Sequence, residues 1–296
     1  MTSATAPSRA RQAAVPTPRA RRAQAIAVGL ADIRGEPDAA SELVTQALLG
    51  ASAIPLDSTS SGWTRVRLVD YEGWARSDQL GAPTRPTERV AVVMATRAPL
   101  YAAWRGASTL GEVFASSLLP IAATGQRAES GRVRVALPGG RAGWIAVAVI
   151  EQRPASDPFP PRGPEAAVAL AKSLLDTPYL WGGVTQRGID CSGLTQLACR
   201  VGGVVIPRDA NQQYDALRYI VDRADVRLGD LVYFAGHGAV THVGIALDNM
   251  TLLHASGAGK RVMVNSLDPA AGGDSVRLAA SYAGARRPFA DEAGRR

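Results

Sequence analysis

The sequence predicts a multidomain chain in which two small all-β barrels precede an α+β domain. Three observations carry that expectation. A strand–turn–strand pattern with a Gly-Trp pair occurs twice in the first half, at Gly73-Trp74 and at Gly143-Trp144. Pro154, Pro158, Pro160, Pro161 and Pro164 crowd the stretch that follows. Beyond them come two helical patterns, the second opening near Cys191, and then strand patterns bearing His242 and His254. The 296 residues are 46% hydrophobic, enough for ordinary cores in two or three small domains.

Residues 1–22 are rich in Ala, Pro and Arg without an apolar period, which predicts a disordered basic tail. Arg9, Arg11, Arg19, Arg21 and Arg22 precede the first acidic residue, Asp32, and supply five of the seven net positive charges. The remainder is only mildly basic, which argues against a nucleic-acid partner. Arg21-Arg22 leads into a short apolar stretch that soon meets Asp32 and Arg34. That stretch reads as the first strand of a domain rather than as a cleaved twin-arginine signal. No apolar run approaches the ~18 residues of a membrane span, so no span is expected. A cytoplasmic location is the expectation, with a secreted or cell-wall-associated one as the alternative.

The repeat comes next. Trp63-Thr64-Arg65-Val66-Arg67-Leu68 precedes Tyr71-Glu72-Gly73-Trp74-Ala75, and Arg132-Val133-Arg134-Val135-Ala136-Leu137 precedes Ala142-Gly143-Trp144-Ile145-Ala146. Val66 and Leu68 alternate with Arg65 and Arg67, so one strand face is buried and the other solvated. Short strands, Gly-rich turns and no long helix predict two small barrels, residues 23–82 and 87–152. Their Gly-Trp placement resembles bacterial SH3-like domains. The second copy departs further, with Gly131 where the first has Trp63. Residues 153–163 read as a stiff, proline-rich linker. A third domain spans 164–290. Its first helix has Pro164 at the start and Glu165 in the first turn.

Asp190 or Cys191 caps the next helix, whose Leu194, Leu197, Ala198 and Val201 form an apolar stripe. A cysteine at the positive end of a helix is expected to have a lowered thiol pKa. On the strand around residues 241–247, His242, Gly244 and Ala246 share one face; Thr241, Val243, Ile245 and Leu247 share the other. Leu252, His254 and Ser256 share a face of the following strand. His242 and His254 are symmetric about Asp248. An odd-length hairpin loop there would set them directly opposite, ~5 Å apart at Cβ, with His254 fixing the His242 tautomer. A cysteine opening a helix and a histidine on a strand are the minimum apparatus of a thiol peptidase. Cys199 follows Cys191 by ~12 Å of helical rise, too far for a disulfide, and reads as a small buried hydrophobe. His237, in Gly236-His237-Gly238, reads as a solvated loop histidine. The two cysteines and three histidines have no zinc-ligand spacing.

Six pieces now stand in order: Pro178-Tyr179-Leu180-Trp181-Gly182-Gly183, Asp190-Cys191-Ser192-Gly193, Ile206-Pro207-Arg208, Leu228-Gly229-Asp230-Leu231, His242-Val243-Gly244-Ile245 and His254-Ala255. Together they resemble the NlpC-type cysteine peptidases of bacterial cell-wall metabolism, over roughly residues 164–285. The resemblance implies a papain-like fold with Cys191 as nucleophile, His242 as base and then acid, His254 as orienter, and no cofactor. It also implies that Asp190 helps hold a free amino group and that Ser192 offers an N–H and a hydroxyl. Tyr179 and Trp181 shape the site, with the Tyr179 hydroxyl available to a developing oxyanion.

One subgroup carries SH3-like domains in front of the peptidase, and its first such domain closes the cleft. Residues 41–50 and 70–74 look like that subgroup, which makes Glu42 and Tyr71 candidates for binding a terminal ammonium. The implied reaction is hydrolysis of the γ-D-glutamyl–diamino acid bond in muropeptides with a free N-terminal L-Ala, in murein recycling. Three rivals stand beside it: a hydrolase of intact cell wall, an amidase or acyltransferase on the same scaffold, and a wall-binding protein with an idle peptidase domain. Lysine and diaminopimelate are not distinguished. Oligomeric state is open, with a monomer expected.

Overall fold

The structure, a computed structural model, describes residues 22–122 and 131–289. The basic tail lies outside them but for its last residue. The first barrel contains β1 (Gln24–Ile26), β2 (Leu30–Arg34), β3 (Leu43–Leu48), β4 (Ser52–Ser58), β5 (Trp63–Arg67), β6 (Glu72–Arg76) and β7 (Leu80–Gly81), in the sheet order β3-β2-β6-β5-β4-β1-β7. The repeated pattern is the β5–β6 hairpin, which sets Val66 opposite Gly73 and Arg65 opposite Trp74. Val66 is buried with Ile26, Ile33 and Ala75, while Arg65 and Arg67 face solvent. Gly73 is required by a close approach: a Cβ there would lie 2.6 Å from Ile33 Cγ2 and 2.8 Å from the Arg34 carbonyl oxygen.

The second barrel contains β8 (Arg89–Val93), β9 (Arg97–Tyr101), β10 (Thr109–Phe114), β11 (Leu118–Pro120), β12 (Arg132–Leu137), β13 (Arg141–Ala146) and β14 (Ile150–Pro154). Its sheets, β10-β9-β13-β12 and β11-β8-β14, are joined by a bridge between Ile121 and Val135. The β12–β13 hairpin pairs Val135 with Gly143 and Arg134 with Trp144, the same relation as in the first barrel.

The third domain contains α1 (Gly163–Ser173), β15 (Val184–Thr185), β16 (Gly188–Ile189), α2 (Cys191–Val201), α3 (Ala210–Ala216), β17 (Ile220–Val221), β18 (Leu231–Gly236), β19 (Ala239–Ala246), β20 (Thr251–Ser256), β21 (Arg261–Ser266), α4 (Asp274–Ala280) and β22 (Tyr282–Arg286). The main sheet runs β17-β22-β18-β19-β20-β21. Helices α1 and α2 share one core with Val243, Ile245 and Leu253. Val232, Phe234, Ala246 and Leu252 form a second core with Leu278 of α4. Alternate residues of β18, β19 and β20 thus serve opposite faces of the sheet. The expected fold class, two all-β barrels and then an α+β domain, is what the chain adopts. Among the described residues no helix is long and apolar enough to cross a membrane.

The apolar stripe of α2 is buried, but so are Ser192, Thr195 and Gln196; of the helix residues only Arg200 is half-buried rather than fully buried. The first barrel covers the outer side of this helix. Gln196 Nε2 donates to Asp70 Oδ2 at 2.8 Å, and Arg208 Nε donates to Thr45 Oγ1 at 3.1 Å. The segment that carries Cys191 is therefore held between the sheet and a second domain.

Candidate active site

Asp190 is the N-cap of α2: its backbone is extended and its Oδ1 accepts from the Gly193 N–H at 2.7 Å. Cys191 follows with 6% of its surface exposed. Burial pushes its thiol up to about 12, and the Asp190 carboxylate pushes the same way; the N–H groups of Val243 and Ser192 and the Arg208 cation pull it back. The expected lowering is overturned, because loss of solvent outweighs the partial charges of the helix end. Cys199 is fully buried on the same helix and is raised by burial with nothing opposing it.

The histidines do not sit directly opposite. The β19–β20 ladder pairs Ile245 with Leu253 and Ala246 with Leu252, so the hairpin centres on Asn249, not Asp248. Continuing that register sets His254 across from Gly244, with His242 on the diagonal. Gly244 leaves the room: a Cβ there would lie 2.9 Å from that of His254. The two rings meet at a centroid distance of 4.9 Å and 74°, with His242 Nε2 and His254 Nδ1 2.7 Å apart.

His254 Nε2 lies 2.9 Å from Asn265 Oδ1 on β21. An amide oxygen only accepts, so His254 Nε2 carries hydrogen and its Nδ1 is a bare acceptor. His242 must then donate from Nε2, which leaves the Nδ1 lone pair free. Burial lowers both imidazoles: His242 falls to about 3, helped by His254 and Arg277, while Asn265 and Asp274 oppose the fall at His254. At neutral pH the site holds a thiol and two neutral imidazoles. Asn265 is absent from the sequence reading. Its only signal was a polar residue beside the apolar Val264, and its place depends on the β20–β21 register, which pairs it with Leu252.

Asp190 is more committed than expected. Its Oδ1 and Oδ2 accept from Arg208 Nη1 and Nη2 at 2.9 and 2.7 Å, and Oδ2 also takes the Gly182 N–H at 2.8 Å. With Gly193, those donors fill about the four acceptor sites a carboxylate has. Asp190 can face an amino group by charge, but without a free lone pair. The Ser192 hydroxyl is likewise taken, accepting from Arg208 Nη1 at 2.9 Å, so of its two expected contributions only the N–H is free of that network.

Tyr179 is half-buried, and its hydroxyl pKa is raised first by burial, then by the charges of Cys191 and Asp190. It therefore remains a hydrogen-bond donor within electrostatic reach of the thiol. Trp181 is 59% exposed, and its Nε1 donates to Glu42 Oε1 at 2.8 Å. Gly182 makes that contact feasible: its φ is +75°, and a Cβ would lie 2.3 Å from the Leu43 carbonyl oxygen of β3. The Tyr71 hydroxyl donates to Asp209 Oδ2 at 3.4 Å. Asp209 also went unread in the sequence; its signal was an acid directly after Arg208. Burial raises its carboxyl pKa, with Asp190 and Asp70 adding and Arg208 and Tyr71 opposing. His237 is exposed in the β18–β19 turn at φ 52°, apart from these groups.

Comparison with known proteins gives the family and the fold. The NlpC/P60 family model matches residues 176–276, and that of the bacterial dipeptidyl-peptidase Sh3 domain matches residues 33–80. Dipeptidyl-peptidase 6 of Lysinibacillus sphaericus is 30% identical over 254 residues, 81% of this chain and 89% of that protein. Gamma-D-glutamyl-L-lysine dipeptidyl-peptidase of Bacillus cereus is 27% identical over 264 residues, 84% of this chain and 76% of that protein. The crystal structure of an NlpC/P60 family protein from Bacillus cereus ATCC 10987 superposes with a TM-score of 0.80 at 24% identity, covering 90% of this chain and all of the other, a likeness of fold.

Proposed function

The chain belongs to the NlpC/P60 family, and on that premise we propose that it is a cysteine peptidase cutting the γ-D-glutamyl–diamino acid bond of cell-wall peptides that begin with a free L-Ala. Cys191 Sγ attacks the γ-carbonyl carbon while its proton passes to His242 Nδ1. The S–C bond forms and the carbonyl oxygen becomes an oxyanion, with the Tyr179 hydroxyl as its donor. The imidazolium then gives its proton to the leaving amine as the C–N bond breaks. Water, deprotonated by His242, attacks the thioester carbon; the C–S bond breaks, the proton returns from His242 to Sγ, and L-Ala-γ-D-Glu leaves. The neutral resting state favours this order: the thiol loses its proton during attack rather than before it. His254 and Asn265 act on His242 alone, by holding its Nε2–H and so its tautomer.

The observation that supports the substrate assignment is the Trp181–Glu42 contact, which sets a carboxylate of the first barrel beside an aromatic residue of the peptidase domain. Glu42 and Asp209 both act on Tyr71, and Asp209 also feels Asp190; Arg208 is the cation among them. Three carboxylates against one guanidinium favour a bound ammonium. Glu42 is exposed, and alone such a pair is worth at most ~1 kcal/mol; preference for the amine needs the half-buried Asp209 as well. Acylating the amine removes the charge and sets an amide against the same carboxylates. That selectivity suits recycling of released peptides in the cytoplasm rather than attack on the intact wall, where the amine is acylated.

Mass spectrometry of digests tests the reading. L-Ala-γ-D-Glu-L-Lys and its diaminopimelate counterpart should release L-Ala-γ-D-Glu, and their N-acetyl forms should be cut far more slowly. Efficient cleavage of intact wall, or equal rates on free and acetylated peptides, would refute the recycling role.

A further inference from the structure

A cavity of about 430 Å³ opens where both barrels, the linker and the peptidase domain meet. Its size falls within the ~300–1,000 Å³ range of small-molecule sites, and domain junctions are where such sites concentrate. Leu48 of β3, Leu118 of β11, Phe159 of the linker and Leu197 of α2 are among its apolar walls. None of Cys191, His242, His254, Glu42, Tyr71, Tyr179 or Trp181 lines it, so it is separate from the cleft.

Arg200, on the last turn of α2, also lines the cavity. Among the described residues its guanidinium has no hydrogen bond and no ion pair. Burial lowers its pKa, and the only charge opposing that is Asp70, whose Oδ2 takes a hydrogen bond from Gln196. A poorly solvated cation without a partner is costly unless something anionic meets it. The apolar walls ask for a hydrocarbon body in the same molecule. One cation with Asp70 nearby favours a single negative charge over a phosphate dianion.

We infer that this cavity binds a small monocarboxylate with an aliphatic body, its carboxylate on Arg200 and its chain against Leu48, Leu118, Phe159 and Leu197. The ligand would touch β3, which follows Glu42, and α2, which begins at Cys191. It would join the two elements that build the cleft without entering it. The inference is independent of the peptidase reading, because binding needs no turnover.

Calorimetric titration and thermal unfolding of the full chain test it with octanoate, octanol, octylammonium and acetate. Octanoate should bind and raise Tm. Octanol and acetate should each bind at least about tenfold more weakly, the loss expected when a charged hydrogen bond or the apolar body is removed. Octylammonium should not bind. Arg200→Gln should weaken octanoate by about tenfold or more. Val69→Asp, at a rim residue 93% exposed and so remote from any core, should weaken it by repulsion. Cys191→Ala should bind octanoate unchanged. Octanol binding as tightly as octanoate, octanoate binding unaltered in both rim and arginine variants, or no octanoate binding at millimolar concentration would each overturn the inference.

Discussion

In both barrels an inward valine faces the glycine of a Gly-Trp pair, Val66 with Gly73 and Val135 with Gly143. Their contacts with the peptidase domain are nevertheless unlike. The first barrel lays β3 along it: Leu43 closes on Gly182, Thr45 takes Arg208, Gln46 Oε1 takes the Val184 N–H at 3.3 Å, and Glu42 takes Trp181. The polar contacts of the second are Thr96 with Gln186 and Arg187 with Glu112, each at 2.9 Å. Neither of those contacts involves a residue of the cleft. A shared hairpin fixes a barrel, and the segments between strands fix what the barrel does. Residues 35–42 and 68–71 of the first barrel carry Glu42 and Tyr71 to the site.

Under the proposed function, chemistry belongs to the peptidase domain, selection to the first barrel and support to the second. Substitutions can break each assignment. The largest effect belongs to Cys191→Ala, which should abolish turnover of free and acetylated peptides alike, whereas Cys199→Ala should retain it; residual cleavage by the first variant would remove Cys191 from the mechanism. His242→Ala should leave almost nothing. His254→Ala should cost about 10⁴-fold, the loss seen when an orienting partner is replaced, and Asn265→Ala about tenfold, one neutral hydrogen bond. Asn265→Ala at full activity would dissolve the relay. If His237→Ala lost activity while the other two kept it, the histidine pair would be wrong.

Alkylation of Cys191 in the resting protein sharpens the chemical half. Its thiol is raised toward 12, so the thiolate fraction should climb about tenfold per pH unit from pH 6 to 9. Iodoacetamide rates measured across that window should show no plateau; a plateau near neutral pH would mean a preformed thiolate–imidazolium pair. The smallest effect tests the second barrel. Glu112 and Arg187 are 35% and 58% exposed, so Glu112→Ala should cost at most ~1 kcal/mol in thermal unfolding and leave kcat/KM unaltered.

How far the sequence reached follows the same division. Local periodicity was enough for α2, for the faces of β19 and β20 and for both Gly-Trp hairpins, because each depends on neighbours a few residues apart. The His242–His254 register was not, since a shift of the hairpin centre from Asp248 to Asn249 depends on how the loop closes. Asn265 needed a second register on top of that one. The raised Cys191 pKa was hidden for another reason: the helix end is visible in sequence, while the depth at which the packed helices and sheet bury the thiol is not. Ser192 and Asp190 read as substrate contacts because their main partner, Arg208, lies more than a dozen residues downstream.

The most direct test of selection by the first barrel is the ratio of kcat/KM for L-Ala-γ-D-Glu-L-Lys to that for its N-acetyl form, in the wild type and in Glu42→Ala. The wild type should favour the free amine strongly, and the variant should lose up to about fivefold of that ratio, the ~1 kcal/mol of an exposed ion pair, through the free peptide alone. An unchanged ratio in Glu42→Ala, or a wild-type ratio near one, would contradict the assignment of selection to the first barrel.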